Sequence, residues 1–116
     1  MENENIIKKV EKLLDIASDF TRLKIMNALL DDSKCTCTCN SCSECRHRCC
    51  MIEKCVGDIC ADINASQSLV SHQLKVLKDS NFVDSRKVGN KVYYFLKDGH
   101  IKDLLRIATE HVMEEE

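Results

Sequence analysis

Seven of the nine cysteines in this chain, Cys35, Cys37, Cys39, Cys42, Cys45, Cys49 and Cys50, crowd into residues 35–50. Thiolates bind soft and borderline ions, and Cys-x-Cys and Cys-x2-Cys spacings let neighbouring side chains share one ion. The stretch reads as a site for cadmium, lead, copper(I) or zinc, with Cys55 as a further candidate ligand. No four thiols stand out as a set, because seven thiols and His47 exceed the need of one tetrahedral ion. The plainer alternative is a redox-labile loop with no fixed ion.

A second constellation is harder and more oxygen-rich. Asp98 and His100, then His111 and Glu114, give the pattern D-x-H-x10-H-x2-E. Eleven helical residues make about three turns, so His100 and His111 share a face yet stand roughly 16 Å apart along the axis. Metal–ligand bonds of about 2 Å cannot bridge that span within one chain. Two such helices packed antiparallel bring Asp98 and His100 of one chain beside His111 and Glu114 of the other. Leu104 and Ile107 would form the apolar seam between two symmetry-related sites. Two imidazoles and two carboxylates suit zinc, or cobalt as its mimic, better than a soft ion.

The elements that must position these groups surround residues 65–80, ASQSLVSHQLKVLKDS. Val70, Leu74 and Leu77 recur at helical spacing and make one apolar stripe. Ser68, Ser71, His72 and Lys75 fall on another side, a short polar face, and Ser66 is placed to cap the first turn. Residues 56–63, with Val56, Ile59, Cys60 and Ile63 in register, form a short helix before it. Two short helices with a reading face on the second make a helix-turn-helix. Residues 82–96 follow as a hairpin, with the turn at Val88-Gly89-Asn90-Lys91. That hairpin is a wing whose tip gathers Arg86, Lys87, Asn90 and Lys91. Residues 64–97 hold six basic and two acidic side chains, so a chain of net charge −2 has a basic middle. A local basic patch is what phosphate contacts require. Gln67, Ser68, Ser71 and His72 are the candidates for base edges of double-stranded DNA. Lys75, Arg86, Lys87 and Lys91 are candidates for phosphates.

The 116 residues suffice for one small domain. Trp and Pro are absent and aromatics are scarce, so Leu, Ile and Val must build the core. No apolar run reaches membrane-spanning length and the acidic start MENEN is unlike a signal peptide, so the expected location is the cytoplasm. Reduced thiols there do not form a disulfide frame. Residues 2–17 read as an amphipathic first helix, with Ile6, Val10, Leu13, Leu14 and Ala17 on the side turned to the core or to a second copy. Asp19 caps a second helix over residues 20–30, buried through Leu23, Met26, Ala28, Leu29 and Leu30. Residues 33–54 read as an inserted Cys-rich loop, 55–96 as helix-turn-helix and wing, and 98–116 as the helix for dimerisation and metal binding.

SDFTRLKIMNALL and the stretch from CVGDICADINASQSLVSHQLKVL to KVGNKVYYFL resemble the ArsR/SmtB family of metal-responsive repressors. The resemblance covers nearly the whole chain outside residues 33–54. It implies a mainly α winged-helix homodimer, joined through its first and last helices, that releases operator DNA when a metal ion binds. The spacing of Asp98, His100, His111 and Glu114 is similar to the family's zinc-sensing site at all four positions. Two departures stand out. Phe20 replaces the proline usual at the first position of the second helix, where a missing N–H costs nothing. Family members that sense soft metals carry Cys-Val-Cys at the start of the third helix. Here the sequence is Cys55-Val56-Gly57, so Cys55 alone matches. Other readings are a metal-sequestering protein, a thiol-based redox or arsenic-type sensor, and a bare interaction module. An enzyme is not expected, because no Gly-rich loop or oxyanion motif accompanies the Cys and His residues.

Overall fold

The structure, a computed structural model, describes residues 2–30 and 52–114. Cys35, Cys37, Cys39, Cys42, Cys45, Cys49, Cys50 and His47 lie outside the described residues. The elements run α1 (Glu2–Ala17), α2 (Phe20–Ala28), β1 (Lys54–Cys55), α3 (Val56–Ile63), α4 (Gln67–Asp79), β2 (Val83–Val88), β3 (Lys91–Leu96) and α5 (Gly99–Glu114). This is the mainly α winged helix-turn-helix expected from the sequence.

Local chemistry sets the element ends. The Asp19 carboxylate accepts the Arg22 N–H at 3.1 Å and starts α2. Asn64 closes α3 in the left-handed conformation, φ 55°, and the Ala65 N–H returns to the Cys60 carbonyl at 3.2 Å. Asparagine tolerates that conformation better than other residues with a side chain, so the break between the two helices is tight. The Ser66 hydroxyl accepts the Leu69 N–H at 3.3 Å and starts α4. Asn81, φ 64°, ends α4 with a paired closure. The Phe82 N–H reaches the Leu77 carbonyl at 2.9 Å and the Asn81 N–H reaches Lys78 at 3.1 Å. That is the Schellman pattern, and it drives Phe82 into the core.

The core lies between the helix-turn-helix and the root of the sheet. Ile25, Met26 and Leu29 of α2 meet Ile59 of α3, Val70, Leu74 and Leu77 of α4, and Phe82, Val83 and Leu96. The second helix departs from the sequence reading in two respects: it ends at Ala28 with Leu29 as its C-cap, rather than at Leu30, and its buried side differs. Leu23 is exposed and Ile25 takes the buried place, because α2 turns its Ile25–Met26–Leu29 side toward α3 and α4.

The wing is a three-stranded antiparallel sheet in the order β1-β3-β2. Lys54, read from the sequence as the end of an inserted loop, is instead a strand residue opposite Tyr94, with Cys55 opposite Tyr93. A two-residue strand carries no alternation of its own and exists only through β3. Val88 pairs with Lys91 across Gly89-Asn90. Only Gly89 of those two has positive φ, 63°, as a II′ hairpin turn needs. Among the described residues no helix is long and apolar enough to cross a membrane.

Candidate nucleic-acid interface and metal-ligating residues

The polar face of α4 is presented from a rigid base. Val70, Leu74 and Leu77 are completely buried, which fixes the roll of the helix. Gln67, Ser68, Ser71, His72 and Lys75 are consequently all exposed. Two side-chain ties hold the helix at its flanks. Arg22 Nε donates to Gln73 Oε1 at 2.7 Å while its guanidinium also donates to the Ile16 carbonyl at 3.0 Å, joining α2, α4 and the end of α1. Lys78 Nζ donates to Ser85 Oγ at 2.7 Å, joining the end of α4 to the wing.

The wing's basic residues do not share one face. Side chains alternate across a strand. Ser85 meets Lys78, so Ser85 and Lys87 turn toward α4, and Asp84, Arg86 and Val88 turn to the opposite face. Lys91 is opposite Val88 and belongs with that second face. Lys87, Asn90 and Lys91 are exposed. Arg86 is also exposed, but its guanidinium is engaged. Its Nε and Nη2 donate to the two carboxylate oxygens of Glu53 at 2.6 and 2.8 Å. The hydrogen bond to Glu53, then the Glu53 charge, raises the already high pKa of Arg86. At the wing root the Ser85 N–H donates to Asp84 Oδ1 at 2.8 Å and Lys97 Nζ lies 3.2 Å from Oδ2. The Ser85 bond first, then Lys97, holds the Asp84 carboxyl below the usual aspartate range.

The second set of groups lies along α5. Asp98 is bifunctional: Oδ1 accepts the Ile101 N–H at 3.1 Å and Oδ2 stands 3.8 Å from His100 Nδ1. One carboxylate thus caps the helix and faces the imidazole. His111 and Glu114 are exposed three turns further along the same unbroken helix. Among the described residues of one chain, no three His, Cys, Asp or Glu side chains converge to hold an ion. Leu104 and Ile107, between the two pairs, are exposed. Cys55 occupies the N-cap position of α3 without making a side-chain cap, and Cys60 lies within α3. Both are free and half-buried.

Glu53, Gln73, Arg22, Lys78, Ser85, Asp84 and Lys97, which make these contacts, carry no role in the sequence reading. The ties of Glu53, Gln73 and Lys78 run to another element, where no local pattern announces them.

A buried helix-turn-helix with a wing beside its exposed second helix defines a winged-helix DNA-binding protein. Residues 52–85 match the family described as bacterial regulatory protein, arsR family. The cadmium resistance transcriptional regulatory protein CadC of Listeria innocua is 36% identical over 100 residues, covering 86% of this chain and 68% of that protein. The chain therefore belongs to the arsR family of transcriptional regulators. A transcriptional repressor SmtB homolog of Synechocystis is 44% identical over 62 residues, which span 53% of this chain and 47% of that protein. The fold superposes on reduced HlyU from Vibrio cholerae with a TM-score of 0.69 at 25% identity, covering 91% of this chain and 90% of that one.

Proposed function

We propose that this chain is a homodimeric, metal-responsive transcriptional repressor acting on operator DNA in the cytoplasm. The observation that carries the reading is the exposed row Gln67, Ser68, Ser71, His72 and Lys75 on a helix whose other side is completely buried. Such a helix is held at fixed roll and enters a major groove with base-reading groups outward. Gln67, Ser68, Ser71 and His72 meet base edges, and Lys75, Lys87, Asn90 and Lys91 meet the backbone; Arg86, a candidate for the same role, has its guanidinium engaged by Glu53. Related proteins named as cadmium, arsenical and SmtB-type regulators support a response to metal.

The donor set on α5 fits zinc or cobalt. Asp98 Oδ2 and His100 Nδ1 stand 3.8 Å apart at the start of α5, and His111 and Glu114 lie on its last turns, all four exposed. Asp98 and His100 of one chain, with His111 and Glu114 of a second, would hold the ion. A bound ion there would supply a cross-link between two α5 helices. The exposed apolar residues of α1 and α5 supply the contact that brings those helices together. If one packing of the α5 pair favours ions and another favours operator spacing, the two ligands are negatively coupled.

A gel-shift of the metal-free protein on its own promoter region, titrated with zinc, cadmium, lead and copper(I), tests this reading. Binding without metal and release on adding an ion is the expected result; metal-independent binding sinks the switch. Ser71→Ala should reduce discrimination between operator and random duplex. Lys87→Ala should weaken both about equally and lower the salt slope by about one.

The Cys-rich stretch supports a second reading, in which soft ions or oxidants act through thiols. Serine at Cys35, Cys37, Cys39, Cys42, Cys45, Cys49 and Cys50 separates capture from sensing. An unchanged cadmium concentration for release means that these thiols do not sense.

A further inference from the structure

Arg86, Tyr93 and Cys55 form one row across the three strands, because Arg86 pairs with Tyr93 and Tyr93 pairs with Cys55. Glu53 stands just before β1, and its hydrogen bonds to Arg86 place its carboxylate over this same face. The Arg86 side chain crosses β3 along that face and lays both donors on the Glu53 carboxylate, at 2.6 and 2.8 Å. This is the parallel fork that guanidinium offers equally well to a carboxylate or a phosphate. The same two donors cannot serve both at once. The carboxylate is tethered within reach, whereas a phosphate must arrive from solution with its own counterions.

The neighbouring cations are not held in this way. Lys87 lies on the other face, toward α4, and Lys91 lies at the tip beside the turn; among the described residues neither has a carboxylate partner. Lys97 is paired with Asp84 at the root of the sheet, and Lys54, in the row of Tyr94 and Ser85 on the other face from Arg86, is paired with Asp62. Arg86 is therefore the wing cation near the tip whose charge is already matched.

We propose that Glu53 sets the DNA affinity of the wing by holding the Arg86 guanidinium away from the phosphate backbone. The resting wing then offers phosphates Lys87 and Lys91, and Arg86 contributes only when Glu53 lets it go. Glu53 touches no nucleic acid in this scheme; it is a positioning residue acting through Arg86. The proposal rests on the DNA-binding reading above, and deepens it by naming what limits the electrostatic part of binding.

The test is a double-mutant cycle on the full chain with random duplex DNA across a salt series. Glu53→Gln should tighten binding at low salt about three- to tenfold and steepen the plot of log affinity against log salt by up to about 0.9, the share of one added phosphate contact. Arg86→Ala alone should leave the salt slope nearly unchanged, because no phosphate contact is lost, while the bared Glu53 carboxylate lowers affinity modestly at low salt. Combined with Glu53→Gln it should abolish most of the gain. Arg86→Ala alone lowering affinity and slope as far as Lys87→Ala does would show Arg86 already on phosphate and overturn the proposal. A gain from Glu53→Gln that survives Arg86→Ala would also overturn it, leaving only the loss of an acidic charge. Both outcomes leave the DNA-binding reading intact. A parent chain that binds no duplex removes that reading, and the proposal with it.

Discussion

α4 and α5 are both amphipathic helices of three to four turns, and their apolar residues have opposite fates. Leu74 of α4 is completely buried, whereas Ile107 of α5 is 64% exposed. α5 docks through Ile101 and, in part, Leu105, and leaves Leu104, Ile107, Val112 and Met113 uncovered. α1 behaves in the same way. Ala17 is buried, while Ile6, Ile7, Val10 and Leu14 face outward. The apolar side of α4 is covered by its own chain, whereas among the described residues nothing covers the outward apolar side chains of α1 and α5. On the dimer reading proposed above, these open apolar residues of α1 and α5 are the association surface. The same reading makes the division suit a switch, with a DNA-reading unit packed within one chain and a surface whose packing is decided between chains.

The strongest way to break that comparison is to attack α4. Leu74→Ala should cost about 2–5 kcal/mol of folding stability, the range for removing a buried leucine side chain. The loss should be the same at low and high protein concentration in urea melts followed by circular dichroism. A concentration-dependent loss would place α4 in the association surface too.

Ile107→Glu probes the other half. It should leave the single-chain fold intact and raise the dimer dissociation constant on the order of a hundredfold, because a carboxylate would be buried without a partner in each copy. Sedimentation equilibrium measures this. An unchanged association state would remove α5 from the interface.

The comparison sharpens if the metal groups are shared across that surface. His100→Ala and His111→Ala should each lose zinc binding. Mixed in equal amounts and allowed to exchange, they should recover about a quarter of the parent's capacity, since half the dimers are mixed and each regains one of two sites. No recovery in competition with a zinc chromophore would place the ligands within one chain.

Two smaller effects belong to the single-chain half. Ser66→Ala should cost about 0.5–2 kcal/mol, the value of a lost N-cap, with no effect on dimerisation. Asp84 has a lowered carboxyl pKa in the folded wing, so it binds a proton less readily folded than unfolded. Its contribution is full above the ordinary aspartate range and fades as pH falls through its lowered value. Asp84→Asn should therefore lower stability slightly at neutral pH and flatten the acid end of the curve, so that variant and parent converge at low pH, as pH-dependent melts would show.

Much of the DNA-facing half was legible along the chain. The period of Val70, Leu74 and Leu77 defined the buried side of α4, Ser66 marked its start, and Gly89 marked the hairpin tip. These signals are local, because caps and turns act over three or four residues and a helical period over two turns. The spacing of His100 and His111 likewise implied, from helix rise alone, that one chain could not bring Asp98 and His100 beside His111 and Glu114, and among the described residues they do not converge. Three things needed the tertiary structure. The apolar stripe on α1 looked the same in sequence whether it faced the core or a second chain; period reports a face and not what covers it. β1 became a strand only because β3 offered it an edge, which two residues cannot announce. Arg86 and Glu53 lie 33 residues apart and meet only because the register of three strands brings them together. The sequence therefore determined which groups the protein has and on which helical faces they stand. Long-range pairing decided which of those groups are engaged within the chain and which stay exposed on its surface.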